Sequence, residues 1–434
     1  MNPVLRSVLL FGLVALAFVV TGLMQSWNLA MIILNMSLVS AVMALGVNIQ
    51  WGYAGLFNVG IMGFTAIGGL AVVLVSADPV PEAWRAGGLG AMLGLALGVA
   101  TILAAIAIWK RMPKGRARVL AMVATLIAGY FITRSVFAPA REAIAAVNPA
   151  SEGYLGGAGL YVLWSWPVGA LFAGGLAWVV GKVSLGLRSD YLAIATLGIS
   201  EIVIAVLKFE NWATRGVNNV VGLPRAIPRP VEMQAYPWVQ TLADDLGMSV
   251  VEMASIVEKL GYTVLFGIVL AILIALSELA LNSPWGRMMR AIRDNEIAAR
   301  AMGKDVTARH LTTFILGSGI CGLAGAMMVT LDGQLTPGNY DPLRFTFLIW
   351  VMVIVGGSGN NWGALLGGMV VWFIWMQAEP MGRAAMEFLT GFMAEDNALR
   401  IHLIDQSAHT RPIMMGLALL LMLRFAPRGL IPER

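Results

Sequence analysis

Long apolar runs alternate with short polar segments along the whole chain. An α-helix needs roughly 20 apolar residues to cross a hydrocarbon core of about 30 Å. The runs therefore predict about 10–12 transmembrane or re-entrant helices. In chain order they cover residues 8–24, 29–49, 54–75, 89–109, 119–137, 161–183, 191–207, 263–281, 311–331, 345–355, 363–376 and 412–423. The runs 345–355 and 363–376 are short for a span and are candidates for re-entrant helices.

Composition places the chain in a broad class. Of its 434 residues, 59% are hydrophobic and 12% are charged, whereas soluble domains are about 45–50% apolar and about 25% charged. The same numbers exclude an intrinsically disordered chain. The sequence therefore predicts an all-α polytopic membrane protein whose surface contacts lipid. Its net charge of +5 does not indicate a nucleic-acid partner, because the basic residues lie in short loops between the runs.

These basic loops set the predicted orientation, because cytoplasmic loops of membrane proteins are enriched in lysine and arginine. Alternating the spans places the basic positions on one side, namely Arg6 and the segments 110–118, 182–188, 287–309 and 424–434. Both termini are therefore predicted to be cytoplasmic. The long polar connections 208–262 and 377–411 are predicted to be extracytoplasmic loops. They are either a surface for a soluble partner or plain solvated loop.

Residues that could carry chemistry are sparse. Cys321 is the single cysteine and lies in an apolar run, so no disulfide within the chain is possible. The three histidines are too scattered for metal-ligand spacing, so we expect neither a metal site nor a cofactor. No paired carboxylates or nucleophile–base set lies at membrane depth, which argues against a membrane enzyme. The run 8–24 lacks the small-x-small cleavage pattern of a signal peptide, so we expect a retained span.

The sequence contains no motif for ATP hydrolysis and few groups for ion coupling. The phosphate-binding motif G-x-x-x-x-G-K-[ST] does not occur, so another chain must hydrolyse ATP if ATP drives this protein. Ionisable residues within the spans are few, and Glu201 is the clearest. A carboxylate inside the bilayer is expensive. Glu201 should therefore have a basic or hydrogen-bonding partner within the protein, or should contact a solute.

Glycine clusters mark two places where helices are broken or closely packed. One is "GYAGLFNVGIMGFTAIGG", which includes Gly55 and Gly60, and the other is "GGSGNNWGALLGG". Small residues allow close helix packing in membranes. Alternatively, both clusters are discontinuous elements that line a cavity. The polar groups offered to water or solute would then be Asn58, Asn360 and Asn361. The sequence leaves both interpretations open.

The segment "SPWGRMMRAIRDNEIAARAMGKD" (283–305) is polar and basic although apolar runs flank it. Its methionines and alanines predict a helix, with Gly303 as the stop. Glu296 and Arg300 are spaced i, i+4 in the favoured order, and Arg293 lies one turn earlier. A helix of this kind at the membrane surface suggests that another protein binds it.

Five motifs carry a resemblance to a known family: "GYAGLFNVG", "SDYLAIATLGISEIV" (189–203), "RAIRDNEIAARAMG" (290–303), "GGSGNNWGALLG" and "APRGL" (426–430). Together they resemble the branched-chain amino acid ABC transporter permeases of the LivM type. The resemblance covers most of residues 29–430 and is weaker at 77–149. Segments 230–261 and 379–410 look like insertions.

The resemblance implies that residues 1–434 form one permease domain in the inner membrane of a bacterium. The expected partners are a homologous second permease, two ATP-binding cassette subunits that hydrolyse ATP, and a periplasmic solute-binding protein. Segment 283–310 would be the cytoplasmic coupling loop that docks on the ATPase. The residues assigned to coupling are Arg290, Arg293, Glu296, Ala298, Ala299, Arg300 and Gly303.

The chain departs from the family pattern near the expected pathway. The family commonly has glutamine, serine and histidine where this chain has Leu56, Asn58 and Ile61, and a glycine-rich stretch where it has "RGVNNVVGLP" (215–224). The implied solutes are leucine, isoleucine and valine; another amino acid, urea or a short amide is the alternative. A channel or secondary carrier without an ATPase is the alternative from another class. The pathway candidates are Gly55, Asn58, Gly60, Glu201, Asn360 and Asn361.

Overall fold

The computed structural model describes residues 3–148, 153–216 and 219–433, and its regular structure is almost entirely helical. Within the described residues, 8 helices are long and apolar enough to cross a membrane. The prediction of an all-α polytopic membrane protein is confirmed. The side on which the termini lie remains a prediction. In the segment 215–224, Val217 and Asn218 lie outside the described residues.

The helices before the long polar connection are α1 (Pro3–Met24), α2 (Trp27–Val47), α3 (Ile61–Ser76), α4 (Pro81–Ala83), α5 (Leu89–Arg111), α6 (Arg116–Ala146), α7 (Ser165–Ser184), α8 (Ser189–Phe209) and α9 (Asn211–Thr214). The later helices are α10 (Pro230–Met233), α11 (Pro237–Leu246), α12 (Val250–Asn282), α13 (Pro284–Asp294), α14 (Glu296–Ala301), α15 (Val306–Asp332), α16 (Pro342–Gly356), α17 (Asn361–Leu389), α18 (Ala398–Asp405) and α19 (Thr410–Phe425).

The remaining elements are short helical turns and two short strands. A π-helical turn, Asn48–Gly52, continues α2, and a second one, Trp84–Gly88, joins α4 to α5. Turns of 3₁₀-helix cover Val162–Trp164, Pro337–Asn339 and Gln406–His409. The two strands β1 (Val220–Val221) and β2 (Gln334–Leu335) pair antiparallel, with Val220 opposite Leu335.

The centre of the bundle is built around α2 and α15. α15 packs against α2, α3 and α7, and α17 packs against α2. In the span that contains α2, 78% of an 18-residue apolar stretch is buried. Protein surrounds this helix, which is why it can be apolar on every side. The corresponding values for the spans of α5 and α6 are 17% and 0%. These two helices pack mainly on each other and leave their apolar side chains to lipid.

Glycines let the central helices approach one another closely. Gly68 of α3 lies against the backbone of Gly322 in α15, and Gly367 of α17 lies against the backbone of Met352 in α16. A Cβ added at Gly68 or Gly367 would overlap a carbonyl oxygen. The close-packing interpretation of the two glycine clusters therefore holds for these helices.

The third predicted span, 54–75, needs a correction. Residues 55–60 are not helical, and α3 begins at Ile61. The apolar run conceals this break because leucine, phenylalanine and valine fill it as they would fill a helix. The short run 345–355 is confirmed as a short helix, because α16 has 15 residues.

The run 363–376 is not short. It belongs to α17, which has 29 residues and continues through Pro380, so the predicted loop 377–411 begins inside a helix. The predicted loop 208–262 likewise ends inside α12, which has 33 residues. Both helices carry polar or charged residues near one end, and these residues interrupt an apolar run without ending the helix.

The two ends of the bundle differ. α13 and α14 lie at one end together with Glu433, near the chain's C-terminus. The strands lie at the opposite end, because β2 follows α15 after that helix has crossed the bundle. α10, α11 and the start of α12 share a small core at that opposite end, which includes Met233, Val239 and Met253.

Candidate functional site

α13 is an amphipathic helix that lies on the end of the bundle. It begins where the Ser283 hydroxyl oxygen accepts a hydrogen bond from the Trp285 N–H at 3.2 Å. Met289 and Ile292 form its buried face and pack into the main core. Arg287 is exposed on the other face. The helix is therefore anchored by its apolar side and presents Arg287 outward.

α13 and α14 are separate helices, so the single helix predicted across 283–303 is wrong. Asn295 is extended (φ −155°, ψ 95°), and its side chain accepts a hydrogen bond from the Ala298 N–H at 3.0 Å. Asparagine favours this capping geometry over the middle of a helix. The predicted pair Glu296–Arg300 forms at 2.6 Å, and Gly303 ends α14 with φ +75°.

Arg293 links this loop to two distant parts of the chain. Its guanidinium donates a hydrogen bond to the carbonyl oxygen of Gly52 and forms an ion pair with Glu433 at 3.0 Å. A Cβ placed on Gly55 would lie 3.5 Å from the Arg293 Cγ. One charged group therefore holds together α13, the end of the π-helical turn and the C-terminal segment.

Residues 55–60, which we call the broken segment, have their polar groups satisfied within the protein. The Gln50 side-chain amide donates to the Ser318 hydroxyl oxygen at 3.0 Å and accepts from the Asn58 side-chain amide at 2.8 Å. The Asn58 oxygen in turn accepts from the Gly60 N–H at 2.9 Å. The interpretation as a discontinuous element is therefore correct in geometry. Asn58 is 2% exposed, however, and offers no polar group to water in this conformation.

Gly60 is needed for packing where the broken segment meets α8. A Cβ added there would overlap the carbonyl oxygen of Thr196. The neighbouring Val59 N–H donates to the Thr196 hydroxyl oxygen at 3.1 Å. Enlarging Gly60 would therefore disturb this helix contact before it could narrow a pathway. Gly55 differs, because its φ of +70° is a conformation that favours glycine whatever the available space.

Three aromatic side chains meet beside the broken segment. The rings of Trp51 and Phe57 lie 4.8 Å and 4.5 Å from the Trp350 ring, between centroids. The Trp350 indole N–H donates to the Asn58 carbonyl oxygen at 3.1 Å. We call Trp51, Phe57 and Trp350 the aromatic cluster. It couples the position of α16 to that of the broken segment.

The second glycine cluster is tied to the first through Asn48. The Asn48 side-chain oxygen accepts from the Gly359 N–H at 2.8 Å, and its amide donates to the Asn361 oxygen at 3.2 Å. The Asn361 amide donates to Glu278 at 3.1 Å, and Asn360 caps α17. Asn360 and Asn361 therefore hold this break together in the present conformation.

Asn48 and Gln50 are the residues of this network that sequence reasoning missed. Both are essentially buried, at 0% and 1% exposure. The available signal was the pair of amides in "GVNIQWG", at the end of an otherwise apolar run. A buried amide must find hydrogen-bond partners, so two amides close together in a span indicate a polar network at depth.

Glu201 lies on the outer face of α8 and is exposed, as is Gly198 one turn earlier. No hydrogen bond or ion pair involves Glu201 among the described residues. The prediction of a partner within this chain is therefore not supported there. The side chain is left pointing away from the bundle.

Comparison with known proteins identifies the family of the chain. A family model for the permease component of branched-chain amino acid transport systems matches residues 29–393. The chain belongs to this family. Its members are transporter components, so the chain is a multi-pass membrane permease.

Individual relatives are distant. A probable branched-chain amino acid transport permease protein LivM of Methanocaldococcus jannaschii is 28% identical over 319 residues, 71% of this permease and 77% of the relative. The Escherichia coli LivM, a high-affinity branched-chain amino acid transport system permease protein, is 26% identical over 213 residues, 47% of this permease and 48% of the relative. A probable LivH permease of M. jannaschii is 31% identical over 104 residues, 24% of this permease and 32% of the relative. No solved structure matches the chain.

The segment 283–310 of this permease carries exposed apolar side chains that sequence reasoning missed. Ile297 is 82% exposed and Met302 is 79% exposed, whereas Ala299 is buried beneath them. Ala298 is exposed between them. The sequence feature that could have revealed them is the presence of apolar residues among the charged residues of a short helix. Two large apolar side chains are therefore exposed among the charged residues of this segment.

A cavity of about 730 Å³ opens beside α13 at the same end of the bundle. Its polar lining includes the predicted pathway residue Asn360, together with Ser7, Tyr53, Glu278, Asn282, Arg290 and Glu433. Burial raises the pKa of the Tyr53 phenol, and the nearby carboxylates of Glu278 and Glu433 raise it further, so the phenol stays protonated. The Arg290 guanidinium donates to the Leu281 carbonyl oxygen at 3.3 Å. Arg290 thus lines this cavity on the side of α13.

Proposed function

We propose that this permease is a membrane subunit of an ATP-driven importer for branched-chain or related amino acids. A homologous second permease would complete the pathway, two ATPase subunits would drive it, and a periplasmic binding protein would deliver the solute. The membrane would be the inner membrane of a bacterium, with both termini cytoplasmic. The observation that carries the proposal is the contact of Arg293 with Gly52, because it connects a surface loop directly to the π-helical turn that precedes the broken segment.

The coupling loop has the features that docking on an ATPase requires. Its anchored face is apolar, through Met289 and Ile292, so a force on the loop is transmitted to the bundle. Its outer face offers Ile297 and Met302 for burial. Apolar anchors that fill a groove on the partner dominate the energetics of most interfaces.

Replacing Ile297 with aspartate is expected to weaken ATPase binding roughly tenfold or more, because a charge would enter an apolar contact. The exposed position should leave the fold unchanged. Copurification of the ATPase subunit and solute-stimulated ATP hydrolysis measure the loss. The matched control is Lys304→Gln, which removes an exposed charge of the same segment that is not among the residues assigned to coupling. Equal losses in both variants would contradict the assignment of Ile297 as an anchor.

The class of transporter is tested by reconstitution. The permease, its second permease, the ATPase subunits and the binding protein are placed in proteoliposomes, and leucine uptake is measured with and without ATP. The proposal requires uptake that depends on ATP. Uptake that continues without the ATPase subunits would identify a channel or secondary carrier. ATP-dependent uptake of urea or a short amide, but not of leucine, would change the solute.

The outer face of α8 is the surface that we assign to the second permease. A carboxylate that faces lipid near the bilayer centre costs about 2.5–3.5 kcal/mol, so Glu201 should face protein or water in the assembly. Gly198, one turn earlier, has open space around it and allows another helix to approach. The likeness to both LivM and LivH supports pairing with a homologous chain.

Replacing Glu201 with leucine distinguishes a position that faces lipid from one that faces protein or water in the assembly. On a lipid face the change would be neutral or stabilising, because it removes a charge from hydrocarbon. We expect normal amounts of protein in the membrane and a strong loss of uptake by the assembled importer. Ile202→Leu, at a 63% exposed neighbouring position, is the control that should transport normally. Unchanged uptake with Glu201→Leu would place this face against lipid.

A further inference from the structure

A second cavity, of about 280 Å³, lies inside the bundle between α2, α3, α15, α16 and α17. Methionine side chains from several helices dominate its wall. They are Met36, Met43, Met62, Met328 and Met352. Methionine is flexible and polarisable, so a wall built from it can adapt to apolar groups of different shape.

Polar groups gather at one end of this methionine cavity. Asp332 is the last residue of α15, and Asn339 lies in the 3₁₀ turn that follows β2. Ser40 and Trp372 also line the cavity. The indole N–H of Trp372 is buried and has no hydrogen-bond acceptor among the described residues. An apolar pocket with a few polar groups is the usual form of a site for a small amphipathic molecule.

The cavity and the aromatic cluster share two helices, α2 and α16. α2 runs toward the coupling loop, because Arg293 binds Gly52 just beyond its end. With a rise of 1.5 Å per residue, Met43 lies about 12 Å and Met36 about 22 Å back along this helix from Trp51. The aromatic cluster therefore adjoins the methionine cavity, since Trp51 follows the cavity residues of α2 and Trp350 lies two residues from Met352 on α16.

We propose that the methionine cavity is a transport subsite that takes the branched aliphatic side chain of the solute. The zwitterionic end of the amino acid would lie toward three polar groups: the carboxylate of Asp332, the side-chain amide of Asn339 and the hydrogen-bond donor N–H of Trp372. The aromatic cluster would close the subsite until the coupling loop moves the broken segment. This inference rests on the proposed import of amino acids and specifies where this chain contacts the solute.

Cysteine labelling tests the subsite without the ATPase. The native Cys321 is buried, at 1% exposure, so the unaltered permease should not react with a water-soluble methanethiosulfonate. Met328→Cys should react, and L-leucine should slow the reaction severalfold while urea should not. Met369→Cys is the control, because Met369 is also partly buried but lies outside the cavity. Lack of reaction at Met328→Cys, or a reaction that leucine does not slow, would overturn the inference.

Filling the cavity provides a second measurement. In the reconstituted importer, Met328→Phe is expected to lower the ratio of leucine to alanine uptake roughly tenfold, the effect of losing space for one or two methylenes. Met369→Phe should leave the ratio unchanged. Normal ATP-dependent uptake with an unchanged ratio in both variants would refute the subsite alone. Failure of the unaltered complex to import any amino acid would refute the proposed function, whereas the labelling result would be unaffected.

Discussion

Arg293→Ala is expected to reduce ATP-dependent uptake roughly tenfold or more, which corresponds to a coupling free energy of 1–3 kcal/mol. The variant removes the ion pair with Glu433 and leaves the buried carbonyl oxygen of Gly52 without its charged donor. The broken segment would then no longer follow the coupling loop. ATP hydrolysis by the assembled complex should continue, because the surface proposed for docking, Ile297 and Met302, is unchanged. The signature is ATP hydrolysis that no longer drives uptake.

The controls for this result lie on the same helix. Arg287→Ala removes an exposed arginine of α13 and should transport normally. Arg293→Lys keeps the charge, but an ammonium cannot reproduce the planar, multi-donor geometry with which the guanidinium reaches both Gly52 and Glu433. Intermediate uptake is therefore expected. Because the lost hydrogen bond also costs folding free energy, about 1–3 kcal/mol, thermal unfolding is measured in parallel. Normal uptake by Arg293→Ala would show that force reaches the pathway by another route.

Gly68→Leu is expected to prevent correct folding of the permease. Any Cβ at this position would overlap the carbonyl oxygen of Gly322, and neither backbone can retreat without separating α3 from α15. Overpacking a close-packed interior costs roughly 1–3 kcal/mol, and more where backbone must move. The measurement is the yield of monodisperse protein in detergent, followed by its unfolding temperature.

Gly175→Leu is the matched control for this packing prediction. Gly175 lies on α7 with no atom near the position of an added Cβ, and it is exposed to the surroundings of the bundle. The substitution should therefore leave yield and unfolding temperature close to those of the unaltered permease. If Gly68→Leu behaved like Gly175→Leu, close contact of α3 with α15 could not be a requirement of the fold.

The sequence by itself determined the class of the protein, most of its membrane helices and its family. These follow from local properties: an apolar run that contacts lipid is helical, because unpaired backbone groups are too costly there, and only a run enclosed by protein, such as 54–75, can be interrupted. The ion pair of Glu296 with Arg300 and the stop at Gly303 were predictable for the same reason, since both depend on neighbours along one helix. Motif order supplied the family without any knowledge of contacts.

Only the tertiary structure decided which residues hold the two interrupted helical regions in place and which side chains contact them. Arg293 finds Gly52 across 241 positions of sequence, and Asn48 finds Asn361 across 313. No periodicity encodes such partners, because a buried amide or guanidinium is satisfied by whichever polar group the packing brings near. The interruption at Asn295 and the buried state of Asn58 were hidden for a related reason. Local propensity describes what a residue favours, whereas the surrounding helices decide which of its options is realised.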